Sequence, residues 1–262
     1  MKTLGNAIRK ALLTGDPYAK VMATRKLVRD WRQGRLETAF PAAMPERPVW
    51  PDSLTLLPPS QMPKRGKGGS EKNRIALWHS LAHIEFVAIA LALDMVGRFG
   101  GQMNLEFVSD FLSVAADEAM HFALIERKLQ RLGSHYTALP AHDGLWEAAQ
   151  ETAHDVAARL AIVPMVLEAR GLDVTPATLN RVQGQGDHKG AKILQRILDD
   201  EIRHVRYGTK HFTAWCNLYE KIPQNHWKTL VEQHFRGALK PPFNDSARSA
   251  AGLSRDFYDA VA

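Results

Sequence analysis

Two glutamate–histidine sets recur in this chain at one fixed interval. Glu85 is followed 33 residues later by Glu118, which opens Glu118-Ala119-Met120-His121. Glu168 is followed 33 residues later by Glu201, which opens Glu201-Ile202-Arg203-His204. The two sets are offset by 83 residues (85 to 168, 118 to 201, 121 to 204). Positions i and i+3 of a helix lie one turn apart and about 300° round, so a Glu and a His so spaced can grip one cation from the same side. A lone Glu on a partner helix adds a further oxygen. Two such helix pairs supply four carboxylates and two imidazoles, the ligand set that holds two iron or manganese ions inside a four-helix bundle.

A single Glu-x-x-His on a helix is ordinarily a solvated ion pair. Its repetition, each time behind a Glu at the same distance, argues for a shared site. So do the flanks: Ile84, Phe86, Val87 and Ile89 surround Glu85, while Val163, Met165, Val166 and Leu167 precede Glu168. A carboxylate in such a stretch is costly to bury unless it is paired or ligates a metal. Oxygen and imidazole donors suit iron, manganese or a mixed pair; structural zinc favours thiolates, and Cys216 is the lone cysteine. The predicted ligands are therefore Glu85, Glu118, His121, Glu168, Glu201 and His204. Asp117 and Asp200 directly precede the two Glu-x-x-His elements and are expected to orient the histidines, because a ligating imidazole donates its second N–H to a carboxylate or carbonyl. Arg203 is grouped with them as a supporting residue. The alternative for both Asp residues is a solvent-facing helix flank.

These residues need long helices. The spacing predicts helices over 71–98 with Glu85, 104–132 with Glu118 and His121, 145–170 with Glu168, and 189–217 with Glu201 and His204. Gly100-Gly101, Gly133 and Gly171 mark three of the ends. Residues 134–144 and 172–187 read as connections. Pro164 lies one turn before Glu168; it removes the bond to the residue 160 carbonyl and should loosen the helix there, either to admit a substrate or as a packing kink. His79 and His83 share a helix face well away from Glu85 and read as packing residues. His142, His154 and His211 have no helix-spaced partner.

Before the bundle, residues 3–13 and 17–33 read as helices, the second with an apolar stripe of Val21, Leu27, Val28 and Trp31. Residues 40–63 hold seven prolines among Trp50, Leu54, Leu56 and Leu57, as expected of an extended strap lying on the bundle. A Gly68-Gly69 loop follows, with Ser70 placed to cap the next helix. A last helix is expected over 224–236, followed by a polar tail. The predicted organisation is a basic helical arm and Pro-rich wrap (1–70), a di-metal four-helix bundle (71–217) and a C-terminal helix and tail (218–262). No segment carries a strand signal, so the fold class is all-α.

At 262 residues, with 45% hydrophobic and 24% charged content, the composition is globular. No run of 18 apolar residues is present, so neither a transmembrane helix nor a membrane partner is expected. The N-terminal residues lack a signal-peptide core, and one cysteine fits a reducing cytoplasm. Residues 1–35 hold nine Lys or Arg against Asp16 and Asp30, a net of +7, which leaves −1 for the other 227 residues. Lys64, Arg65 and Lys67 form a second basic cluster. Such an arm either attracts RNA or is the solvated side of an amphipathic helix.

At its paired motifs the chain resembles the ferritin-like di-iron carboxylate superfamily. Asp117-Glu118-Ala119-Met120-His121 and Asp200-Glu201-Ile202-Arg203-His204 look like the Asp-Glu-x-Arg-His elements of bacterial di-iron monooxygenases; the second keeps the Arg, and the first has Met120 instead. Three phrases also resemble a family of bacterial ferritin-like proteins known only as a domain of unknown function: residues 78–85 (WHSLAHIE), 140–146 (PAHDGLW) and 161–173 (AIVPMVLEARGLD). That likeness spans most of residues 10–235. It implies the bundle and the six ligands but no substrate. A more distant similarity is to the tRNA-modifying di-iron hydroxylase of the same superfamily.

The leading expectation is a di-iron oxidoreductase using O2 or peroxide on a small-molecule substrate, fed by an external electron donor because no nucleotide-binding glycine motif is present. The alternatives are an RNA-modifying hydroxylase, a ferroxidase or iron-handling protein, and a purely structural bundle in which Arg170 and Arg203 pair with the carboxylates. The oligomeric state is left open, with a dimer among the options.

Overall fold

Helix starts in this protein follow capping chemistry. In the computed structural model, which describes residues 2–63 and 69–259, the side chains of Thr3, Asp16, Ser70, Asn104, Asp155 and Asp187 each accept a first-turn backbone N–H. The basic cluster Lys64, Arg65 and Lys67 lies outside the described residues.

The protein is mostly helical, and the chain divides into two compact units, Met1–Trp146 and Glu147–Ala262. The first begins with strand β1 (Lys2–Thr3) and helices α1 (Leu4–Leu12) and α2 (Pro17–Arg32), followed by strand β2 (Leu36–Glu37). β1 and β2 pair in parallel with Lys2 opposite Leu36, a two-residue ribbon that closes the α1–α2 hairpin and that no residue pattern announced. A 3-10 turn (Pro59–Gln61) ends the Pro-rich segment, and α3 (Glu71–Phe99) and α4 (Leu105–Arg131) follow. α3 and α4, joined by the short turn 100–104, pack against each other along their length, while α1 lies on α3 and α2 on α4. α5 (Gly144–Glu151) spans the passage between the units.

The second unit holds α6 (Val156–Ile162), a π-helical segment (Val163–Glu168), α7 (Ala169–Gly184), α8 (His188–Leu218), α9 (Pro223–His234), α10 (Asp245–Ala250) and α11 (Arg255–Tyr258). α8 packs on α6, the π segment and α7, and α6 on α9.

The Pro-rich strap lies against the first unit. Val49 N–H donates to the Leu12 carbonyl at 3.0 Å, Leu57 N–H to the Ala141 carbonyl at 2.8 Å, and Trp146 Nε1 to the Glu46 carbonyl at 3.1 Å. Trp50 packs on Phe86 at 5.9 Å between ring centroids. The arm's charge is not all solvated. Lys20 is fully buried, its ammonium 5.0 Å from the Trp50 ring and 4.9 Å from the Phe86 ring, and it donates to the Val49 carbonyl at 3.0 Å. Burial pulls its pKa down to about 7.

Two departures from the expected helices lie in the second unit. The helix expected over 145–170 is broken at residues 152–155, where Asp155 caps a new start. The connection expected over 172–187 is helical as far as Gly184, with Pro176 inside the helix. That proline frees the carbonyl of Leu172, and the Asn244 side-chain amide donates to that same oxygen at 3.1 Å. The tail supplies the partner, so the helix continues. The tail is itself ordered: Arg248 and Asp173, both almost wholly buried, form two hydrogen bonds of 2.9 and 2.7 Å.

α3 is long and apolar enough by length and composition to cross a membrane, and most of its apolar stretch is buried within the protein.

Candidate metal centre

The first ligand set lies on two neighbouring helices of one unit. Glu85 sits mid-way along α3 and Glu118 and His121 on α4, where i, i+3 spacing turns both toward the same side. All three are buried. Each offers one ligand atom, and these atoms lie within 4.8 Å of one another. His121 Nδ1 is 3.1 Å from Glu85 Oε2 and 3.4 Å from Glu118 Oε2. Burial, and then the neighbouring Glu118 carboxylate, push the Glu85 carboxyl well above its usual range, with His121 pulling the other way. Two carboxylates and an imidazole crowded out of water form a buried Glu/His cluster able to hold a metal ion. A divalent cation bound there would add positive charge beside the crowded carboxylates.

The second set lies on the π segment and α8. Glu201 and His204 are buried on α8, with Glu201 Oε2 3.7 Å from His204 Nδ1. Glu168 is the last residue of the π segment and is half-buried. The segment begins at the predicted distortion. Pro164 cannot donate a backbone hydrogen bond, and the wider turn is closed by Ala169 N–H donating to the Pro164 carbonyl, five residues back. Gly208 on α8 makes room for the ring: a Cβ there would stand 2.4 Å from Pro164 Cβ and 2.5 Å from its Cγ. Pro164 is thus a packing residue and a helix distortion together.

Of the predicted supporting residues, Asp200 is buried and held by its own helix. Arg196 Nε donates to it at 2.6 Å and Arg203 Nη2 at 3.1 Å. Arg196 was not singled out from the sequence, although its i, i+4 spacing to Asp200 was the available signal. Asp117 is half-buried on α4. Arg170 pairs with Asp173 at 3.7 Å and donates to the Lys240 carbonyl at 2.6 Å.

His79 and His83 do packing work, as their helix face implied. His83 Nε2 lies 3.0 Å from the His142 carbonyl, which can only accept, so that nitrogen carries the proton and Nδ1 accepts from the Tyr136 hydroxyl at 2.9 Å. His79 has the opposite tautomer: its Nε2 accepts the N–H groups of Thr137 at 3.1 Å and Leu139 at 3.3 Å. The pair pins a loop in which Thr137 has φ 83°, a left-handed conformation that is strained for a β-branched residue.

The family model for proteins of unknown function DUF455 matches residues 13–259. A Haemophilus influenzae protein, described only as an uncharacterized protein, is 36% identical over 264 residues, covering 98% of this chain and 89% of that relative. No solved structure matches the chain. The match extends from the first helical hairpin through both ligand sets into the tail, and the chain belongs to the DUF455 family.

Proposed function

We propose that this protein is a di-iron carboxylate oxidoreductase that uses O2 or peroxide on a small organic substrate. In this reading residues 71–217 form a ferritin-like four-helix bundle, with residues 1–70 as arm and strap and 218–262 as C-terminal helix and tail. One observation carries the reading: Glu85, Glu118 and His121 converge, buried, within ligand reach, and the same set is spelled again 83 residues on. Glu85, Glu118 and His121 would hold one ion and Glu168, Glu201 and His204 the other. Manganese or a mixed iron–manganese pair fits the same donors.

Two ferrous ions, when bound, would supply two electrons for the reduction of O2. The chain's own residues do the rest. Phe86, Val87 and Phe122, all buried beside the first ligand set, exclude water from it. The Asp200 carboxylate, clamped by Arg196 and Arg203, stiffens the turn of α8 that carries Glu201 and His204. At half-buried Glu168 the backbone leaves the regular helix, and in this reading substrate would approach from that side. Electrons would come from a reductase or thiol outside the chain. A cytoplasmic location fits the lone, buried Cys216.

The test loads purified protein with Fe(II) under argon, removes the excess and measures iron per chain, then admits oxygen and follows its uptake together with conversion to Fe(III). Two iron ions per chain and prompt oxygen uptake are expected. A protein that retains no iron, or retains iron that oxygen leaves ferrous, overturns the proposal.

A further inference from the structure

The outward side of α2 carries a pattern unrelated to the metal ligands. Tyr18, Met22, Arg25, Arg29 and Arg32 follow one another at intervals of four, three, four and three residues. At about 100° per residue they lie within about 40° of one line along the helix. All five are exposed, Tyr18 at 72% and Met22 at 46%. Among the described residues none of the three arginines forms a salt bridge. Lys26 and Arg35, which flank the line, share Asp30 between them and leave one further positive charge. The other side of α2, with Val21, Leu27 and Val28, is buried in the protein.

We infer that this face of α2 is a docking surface for single-stranded nucleic acid, with Arg25, Arg29 and Arg32 on backbone phosphates and Tyr18 stacked on an unpaired base. Guanidinium groups match phosphate oxygens with paired donors. From Tyr18 to Arg32 the line runs about 21 Å, the reach of several nucleotides. An exposed tyrosine beside free arginines is the combination that sequence-tolerant strand binders use, one group for the base and the others for the backbone. An anionic membrane fits less well, because an interfacial helix inserts its apolar side and α2 has buried its own. This inference does not depend on the metal reading, since it uses none of the six ligands.

The experiment measures binding of the full chain to a fluorescein-labelled 20-nucleotide oligouridylate by fluorescence anisotropy. Three phosphate contacts on a single strand predict a salt slope of roughly −2, hence about a 20-fold loss of affinity between 50 and 200 mM salt. R25Q/R29Q/R32Q should weaken binding at least tenfold at 50 mM salt and flatten that slope. Tyr18→Ala should weaken it several-fold and leave the slope unchanged, a readout that survives if the triple variant folds poorly. K189Q/K192Q, which removes two exposed charges on another helix, should bind like the wild type. The proposal is overturned by absence of binding at 50 mM salt, by an equal loss in K189Q/K192Q, by equal competition from a duplex of the same length, or by phosphatidylserine vesicles that bind through the same arginines while the oligonucleotide does not.

Discussion

The two ligand-bearing halves use the same residues at the same spacing on differently built backbones. Glu85 is held near the middle of an unbroken 29-residue helix, buried beside His121 and Glu118. Its counterpart Glu168 ends a six-residue π segment opened by Pro164 and is only half-buried. A duplicated motif therefore conserves donor types without conserving rigidity. In the proposed centre, the first half would hold its ion from a regular, buried backbone. The second places one carboxylate where the backbone has already left the regular helix.

Several measurements would break or sharpen this contrast. The largest effect is expected from His121→Ala, which removes the nitrogen donor and leaves two buried carboxylates without it. Iron per chain should fall by half or more, and Glu168→Gln should cost clearly less iron than Glu85→Gln. Equal losses in elemental analysis of those two variants would erase the distinction between the two carboxylates.

Next comes the latch that orders the second half. Arg248→Met takes two hydrogen bonds from the buried Asp173 carboxylate, leaving it the Asn244 N–H and the more distant Arg170, and should destabilise the protein by about 1.5–3 kcal/mol in urea unfolding, with faster amide exchange along α7 than along α3. A uniform rise in exchange would show that the latch serves the whole chain equally.

Glycine substitutions probe the same contrast at smaller scale. Gly208→Ala drives a methyl into the rigid Pro164 ring and should cost about 1–3 kcal/mol. At Gly97 on α3 an added Cβ would stand 2.4 Å from Met44 Sδ, the flexible part of a side chain, and 2.9 Å from Ile8 Cγ2. Gly97→Ala should cost less, near the low end of that range, because thioether chains re-pack readily. The reverse order in thermal melts would mean that the π segment yields more easily than its packing implies.

A further contrast concerns pH and the histidine-pinned loop of the first half. Burial holds the pKa values of His79 and His83 down to about 4. Unfolded histidine titrates near 6.5, so the unfolded chain binds more protons between those values, and stability should fall as pH drops from about 6.5 toward 4. His79→Gln should lower stability at neutral pH and flatten that slope; an unchanged slope in pH-dependent melts would assign the loss to other groups.

Much of this architecture was readable from residue order. Caps at Thr3, Asp16, Ser70, Asn104 and Asp187 set helix starts locally, and α3, α4 and α8 fall within a residue or two of their expected bounds. What failed was the region whose backbone partners are distant. Pro176 reads as a breaker because its effect on Leu172 is local, whereas the Asn244 amide that satisfies the freed carbonyl lies 72 residues further on. Lys20 counts as solvated charge until the strap brings Trp50 over it.

Donor identity and order were determined by the sequence itself, because i, i+3 spacing and an 83-residue offset are covalent facts that any helix turns into a shared face. Only tertiary structure decided how each donor is held. The π turn before Glu168 exists where a proline on one helix meets a glycine on another, and the burial that crowds Glu85 against Glu118 and His121 comes from helices packing, not from neighbours in the chain.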